Sequence, residues 1–377
     1  MVGGVGAYTA ALANALAETG AEVAVLTSAR AQPPQPLPPA RVAVAARMHR
    51  WNVGAWRDIC RTAQEMNADW VHVQYQTAAF AMNPTLNMLA QPRAGFRLAW
   101  TYHDLLPAYL FPKAGARLRQ WVTERPAPRA DLVIVTNEGD RQMLVARTHN
   151  LHAIPIGSNI QGVQLNDTER RTVRAHFGYG ADDLLLGYFG FLNRSKGGDT
   201  LITALDTLVA QGVNAHLLMI GDRLGASDPT NAATLAEIEA MIAARGLNER
   251  VRWTGRLDDA AAGAALNAVD LLLLPFVDGA SLRRGTLMAG LANGCAIITT
   301  QPQHALPQLV DGSDLLYVPP SDAIALAAAV RALAAAPEGL AQLRTAARAR
   351  SADFGWPAIA AQHLALYTAA ANSRMIK

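Results

Sequence analysis

DLLLLPFVDGASLRRGTLMAGLANGCAIITT, Asp270 to Thr300, decides the fold class. A buried apolar strand ends at Pro275, and a loop of Gly, Ser and Arg follows. A helix of small residues then runs from Gly285 to Asn293, is stopped by Gly294, and gives way to a second strand. A strand that returns through a helix to another strand is the repeating unit of a parallel sheet. The backbone amides from Ser281 through Leu282, Arg283 and Arg284 to Gly285 can cradle an anion at such a helix start, and the two arginines add charge. Two arginines on a solvated face are the competing reading.

The same alternation extends in both directions. Strands are expected at 22–27, 41–46, 70–74, 98–102, 132–136 and 152–156, and again at 184–190, 216–220, 251–254, 271–275, 296–300 and 314–318. Two sets of about six strands imply two doubly wound, Rossmann-like α/β domains. The polar stretch GSNIQGVQLND, Gly157 to Asp167, places the boundary: 1–162, then 163–353. A C-terminal helical segment, 354–377, is expected to pack back on the first domain.

Composition agrees with a globular chain of this size: 377 residues, 51% hydrophobic and 17% charged, allow two ordinary cores. The only cysteines, Cys60 and Cys295, lie far apart and outside any zinc or disulfide spacing, which favours a reducing compartment. No apolar run is long enough to span a membrane, and the first twenty residues lack a signal peptide's basic start, so a cytoplasmic protein is expected. Residues 1–160 hold 15 Lys+Arg against 10 Asp+Glu. Without a basic run, a nucleic-acid motif or many aromatics, this excess suits a phosphorylated small molecule or an anionic membrane surface, not nucleic acid.

The N-terminus reads as a glycine loop, Gly3-Gly4-Val5-Gly6, leading into a helix over 7–19. Gly4 and Gly6 could let amides approach a phosphate, or could serve only a tight packing turn. No strand feeds this loop. In a doubly wound sheet that strand is central, so its neighbours are expected either to lose a pairing edge or to rearrange.

Three further loops fall at strand C-termini, where open parallel sheets bind ligands. TYHDLLP, Thr101 to Pro107, puts His103 within reach of a substrate hydroxyl, with Asp104 fixing its tautomer or capping the next segment; a satisfied loop histidine is the alternative. His72, inside WVHVQYQ, reads as structural, with Gln74 and Gln76 as edge contacts. LLLGYFGFLNRSKGGDTLITAL, Leu184 to Leu205, sets Arg194 and Lys196 beside a helix start as a diphosphate clamp, or as a solvated basic loop. Gly221 and Asp222 occupy a further loop of that edge.

Together these pieces resemble the GT-B glycosyltransferases, specifically family 4 of retaining enzymes. The resemblance rests on GGVGAYTAALANAL, TYHDLLP, IPIGSNI, GYFGFLNRSKGGDTLITAL, MIGD, VRWTGRL, VDLLLLPF, LANGCAIITT and FGWPAIAAQHLALY, in that order along nearly the whole chain. It implies two Rossmann-like domains facing a central cleft. A nucleotide-diphosphate sugar would lie on the second and a glycan, lipid-linked or small-molecule acceptor on the first. It further implies that Lys196 binds donor phosphate, that Thr254-Gly255-Arg256 lies near the base, and that His103 faces the transferred sugar. Retaining transfer would need neither a cofactor nor a metal, since the leaving phosphate takes the acceptor's proton and no D-x-D motif is present. Trp51 and Trp56, with Arg50, Arg57 and Arg61, could meet a lipid headgroup or a phosphorylated acceptor, or form a surface helix with packed tryptophans.

Two departures stand out. The family's two glutamates, eight positions apart, correspond to Ser281 and Ala289, and no Asp or Glu occurs between Asp278 and Asp311. The family's Gly-Arg at the phosphate loop is Gly190-Phe191, leaving Arg194, Arg283 or Arg284 as substitutes. A phosphate-centred donor site with altered ribose and sugar recognition is therefore expected. The alternative is a catalytically silent homologue that binds a nucleotide or glycan.

Overall fold

The computed structural model describes residues 4–29, 42–92, 95–105, 114–223 and 229–372. In chain order the elements of the first half are α1 (Gly4–Glu18), β1 (Val23–Ser28), β2 (Val42–Met48), α2 (Val53–Glu65), β3 (Trp70–Tyr75), α3 (Thr85–Leu89), β4 (Arg97–Tyr102), α4 (Ala116–Glu124), β5 (Leu132–Val135), α5 (Glu138–Leu144) and β6 (Leu151–Ala153). There follow α6 (Asp167–His176), β7 (Leu184–Phe189), α7 (Gly198–Ala210), β8 (Ala215–Ile220), α8 (Pro229–Ala244), β9 (Val251–Trp253), α9 (Asp259–Ala268), β10 (Leu271–Leu274), α10 (Gly285–Ala292), β11 (Ala296–Thr300), β12 (Leu316–Val318), α11 (Ala323–Ala334), α12 (Pro337–Ser351) and α13 (Trp356–Asn372). The chain divides into two compact units, Met1–Gly157 with Gly355–Lys377, and Ser158–Phe354.

The second unit is built on one six-stranded sheet in the order β12-β11-β10-β7-β8-β9, parallel throughout. Its central strands β10 and β11, LLLL and AIITT, are wholly buried because helices cover both faces. Leu186, Leu271 and Ile298 of three strands share one core with Leu201, Leu205 and Leu208 of α7 and Leu326 and Val330 of α11. The polar stretch before α6 ends in a capping box: the Asn166 side chain accepts from the Thr168 and Glu169 amides, and Glu169 accepts from the Asn166 amide.

In the first unit the sheet is divided. β1 and β2 form a parallel pair, while β3-β4-β5-β6 form a separate parallel sheet. Val23 of β1 and Trp70 of β3 pack into one cluster with Tyr8, Leu12 and Leu16 of α1, and Leu26, Val71 and Val73 share the cluster on the other face. The two sheets thus share both hydrophobic layers, yet among the described residues no ladder joins them. α13 enters the same core through Ile359 and Ala360.

Two local expectations are corrected. α1 already begins at Gly4, so Gly4 and Gly6 lie in its opening turns and form no loop; Gly3 lies outside the described residues. The alanine-rich run that follows favours helix strongly enough to extend it through both glycines. In α2 the face carrying Trp56, Ile59 and Cys60 turns inward, and Trp56 is only 2% exposed. Trp51 stacks edge-on against Phe80 at 4.7 Å. Trp56 is therefore core and cannot serve as a headgroup contact, while Trp51 is half-buried against the same cluster.

Candidate active site

In the second unit the loops at the C-terminal edge of the sheet converge around Phe276. β7 runs into Gly190, whose φ of +105° suits glycine, and whose amide donates to the Ile220 carbonyl at 3.0 Å. The chain then makes a single 3₁₀ turn, Arg194–Lys196, capped by the Asn193 side chain, which accepts from the Ser195 amide at 3.1 Å. Gly197 starts α7 at φ +66°, and a Cβ there would collide with the Pro275 carbonyl oxygen. The Val277 amide donates to the Ser195 carbonyl at 3.0 Å, which ties this turn to the end of β10.

That junction sets two cations on one ring. Lys196 Nζ stands 5.0 Å from the centroid of Phe276, and the Arg284 guanidinium carbon stands 4.7 Å from it. Arg284 is ion-paired with Asp278. No carboxylate among the described residues lies within ion-pairing distance of Lys196. Burial lowers the Lys196 ammonium to about 8, with the Arg284 charge adding to the shift and Asp278 opposing it. Burial also lowers Arg284 from its usual value, against the raising effect of Asp278. Arg284 Nε and Thr286 Oγ1 are buried without a partner, and Thr286 abuts Gly190. Two desolvated cations, open donors and the start of α10 form a site suited to a multiply charged anion.

The remaining candidates divide. Arg194 and Arg256 are exposed, and Arg283 is half-buried. Leu282 is buried, so its side chain serves packing. Ser281 consumes two of the loop amides: its hydroxyl accepts from Arg283 at 3.4 Å and its carbonyl from Arg284 at 3.0 Å. The anion cradle therefore narrows to the first-turn amides of α10, at Gly285 and Thr286, which have no carbonyl a turn earlier to bind. Gly255 forms an isolated bridge with Gly221. The Thr254 hydroxyl accepts from the Gly221 amide at 3.0 Å and donates to the Gly255 carbonyl at 2.8 Å. Ala289 is 1% exposed within α10. The carboxylate that the β10–α10 loop does carry is Asp278.

In the first unit His103 follows β4, and its ring is held by two side chains. Its Nε2 lies 3.0 Å from the Gln74 Oε1, an oxygen that can only accept, so the ring proton belongs on Nε2 and Nδ1 is left as the acceptor. The Tyr8 ring meets it edge-on at 4.5 Å and in turn contacts Trp356 at 5.2 Å. Burial, aided by repulsion from His363, lowers His103 to about 4, so its imidazole is neutral at neutral pH. Asp104 does not orient this ring: it accepts from Gln76 Nε2 at 2.9 Å. His72 is wholly engaged, with Nε2 at 2.7 Å from the Thr101 hydroxyl and Nδ1 at 2.6 Å from the Tyr367 hydroxyl of α13.

Sequence reasoning missed Phe276, Asp278, Tyr8 and Trp356. Phe276 adjoins Pro275 in the strand–loop junction, but nothing in an apolar run marks one ring as a platform for cations. Tyr8 was detectable only as an inward position of α1.

Residues 2–161 match the family described as Glycosyltransferase Family 4, and residues 183–336 match Glycosyl transferases group 1. The chain is 25% identical to a D-inositol 3-phosphate glycosyltransferase of Xylanimonas cellulosilytica, covering 99% of this chain and 93% of that one. It is also 25% identical to a phosphatidyl-myo-inositol mannosyltransferase of Mycolicibacterium smegmatis, over 97% and 90%. Among solved structures, Anabaena HepE in complex with UDP superposes with a TM-score of 0.67 at 17% identity, covering 87% of this chain and 86% of that one. With its two parallel α/β units and these matches, the chain belongs to the GT-B glycosyltransferases of family 4.

Proposed function

We propose that the chain moves a sugar from a nucleoside-diphosphate sugar to an acceptor with retention of anomeric configuration, without a metal or other cofactor. The observation that carries this reading is the convergence of Lys196 and Arg284 on the face of Phe276 beside the α10 N-terminus. As the sugar departs, charge accumulates on the leaving diphosphate. Cations already withdrawn from water stabilise that charge more than the ground state. Arg284 takes the place of the arginine that Phe191 replaces in the phosphate loop, and its open Nε and the Thr286 hydroxyl supply further donors. The leaving phosphate accepts the acceptor's proton, and the neutral His103 offers Nδ1 to a hydroxyl of the transferred sugar.

Donor recognition then centres on phosphate. In this reading no carboxylate at position 289 contacts the ribose, since that position is Ala289. One relative is named for D-inositol 3-phosphate and the other for phosphatidyl-myo-inositol, and the basic excess of residues 1–160 suits a phosphate-bearing acceptor.

Calorimetric titration with UDP, GDP and their sugar conjugates tests this reading. Saturable binding of one nucleotide, lost in Lys196→Ala and weakened in Arg284→Gln, is the expected result. A folded chain that binds none of them, or binds as well without Lys196, refutes it and favours the silent homologue.

A further inference from the structure

β7 and β10 are neighbours in the second unit's sheet, yet the chain leaves them in opposite directions: α7 carries it from β7 to β8, and α10 carries it from β10 to β11. The loops that follow the two strands therefore part, and ligands of parallel sheets settle in the crevice so formed. Lys196, from the loop after β7, and Arg284, from the loop after β10, meet there over Phe276. Two large apolar side chains stand open to solvent at the same rim. Phe191, which follows Gly190 at the end of β7, is 45% exposed, and Val277, next to Phe276, is 43% exposed. The ladder pairs Leu271 with Leu186 and Leu272 with Gly187, and its continuation puts Phe276 level with Phe191. Both backbones are pinned, since the Tyr188 hydroxyl donates to the Phe191 carbonyl at 3.2 Å and the Val277 amide donates to the Ser195 carbonyl at 3.0 Å. The polar side chains nearby are already committed. Asn193 accepts from the Ser195 amide and hydroxyl, the Ser281 hydroxyl accepts from the Arg283 amide, and Asp278 holds Arg284.

We propose that Phe191 and Val277 form an apolar wall for the transferred sugar, and that this sugar is a 6-deoxyhexose, with a methyl group where a common hexose carries a hydroxymethyl. The inference rests on the reading of Lys196 and Arg284 as the diphosphate clamp. A diphosphate held there is bonded to two groups only, the ribose and the transferred sugar. The ribose has no apolar substituent and the base lies beyond it, so the group that an adjoining phenylalanine and valine suit is the sugar. A hydroxyl turned toward this wall gives up water without gaining a partner, whereas a methyl group gains contact. Selection comes from that difference, and for one small group against a mostly apolar surface it is modest, about ten- to a hundredfold.

Calorimetric titration of the full chain with pairs of donors that differ only at carbon 6 tests the proposal: UDP-glucose against UDP-6-deoxyglucose and GDP-mannose against GDP-6-deoxymannose, with UDP and GDP alone alongside. For the nucleotide that binds, the 6-deoxy conjugate is expected to bind about tenfold or more tightly than its parent. Phe191→Ser is expected to bring that ratio close to one, and Val277→Ser to reduce it by about threefold. Phe191→Leu, which keeps an apolar surface, is expected to retain the preference, and thermal melting verifies that the variants fold. Ile324→Ser removes an even more exposed apolar side chain, in α11 after the marginal strand β12, and is expected to leave the ratio unchanged; an equal loss there would overturn the assignment to Phe191 and Val277. Equal affinity for the two conjugates, or a preference that survives Phe191→Ser, overturns the proposal and leaves the phosphate clamp standing. Tighter binding of UDP-N-acetylglucosamine than of UDP-6-deoxyglucose overturns it as well, since the methyl group would then belong to an acetamido sugar. Failure of both UDP and GDP to bind a folded chain overturns the clamp itself, and this inference with it.

Discussion

His363 of α13 is fully enclosed, with Nδ1 at 2.8 Å from the Ile359 carbonyl and Nε2 without a partner. Burial holds it near 4, against about 6.5 for an exposed histidine. At pH 7.5 it is neutral whether the chain is folded or not. Below pH 6.5 the unfolded chain takes up a proton that the folded one refuses until about pH 4, so stability falls across that interval by about 1.4 kcal/mol per pH unit. At pH 5 the loss from this residue is about 2 kcal/mol. His103, also near 4, adds a loss of the same sign, and His72, lowered by burial and by both neighbours, adds a third. His363→Leu removes one of these contributions and strands no partner, because the Ile359 carbonyl retains its helical amide. Relative to wild type, the variant should therefore gain about 2 kcal/mol between pH 7.5 and pH 5. Urea unfolding followed by tryptophan fluorescence measures this directly: Trp51, Trp56, Trp70, Trp100, Trp121 and Trp356 belong to the first unit and Trp253 alone to the second. Midpoints of wild type and variant that move in parallel with pH would refute the reasoning.

Lys196→Ala should weaken binding of the preferred nucleoside diphosphate by about 10- to 150-fold, the value of one charge-assisted contact, as read by calorimetry. Gln74→Leu frees the His103 ring and its tautomer; transfer assays should show kcat falling about tenfold or more with KM for the donor nearly unchanged, where a purely structural role would move stability alone. Arg174, 2% exposed, donates to the Gly180, Ala268 and Asp183 carbonyls and to Asp270. Arg174→Met should destabilise the second unit by about 3–5 kcal/mol, monitored through Trp253 emission.

The strands were legible because their chemistry is local. Runs such as LLLL and AIITT, punctuated by Gly294 and Gly312, identify themselves within a few residues. All twelve appear in the structure within a few residues of their expected ends. The loops at the strand ends were likewise placed correctly on the sheet edge, since position follows from strand direction. Which side chains meet there was not legible. Arg194, Arg283 and Arg284 are equivalent as letters, and only the packing of the 3₁₀ turn against the end of β10 brings Arg284 over Phe276 and leaves Arg194 in water. Likewise Trp56 and Trp121 are both tryptophans among arginines on short helices. One faces in and the other out, a matter of helical phase against a core that no local pattern specifies.

The placement of α13 also has a bearing on biosynthesis. Trp356, Ile359, Ala360, Leu364, Leu366 and Tyr367 complete a cluster whose other members, from Tyr8 to Ile156, leave the ribosome much earlier. The 197 residues of Ser158–Phe354 intervene, and at about 5–20 residues per second their synthesis takes on the order of 10–40 s. During that interval the second unit is a continuous stretch able to collapse on its own, while the first waits with one apolar face bare. The nascent chain thus finishes its domains in the reverse of the order in which it starts them, and its earliest-made half is the one most in need of chaperone cover.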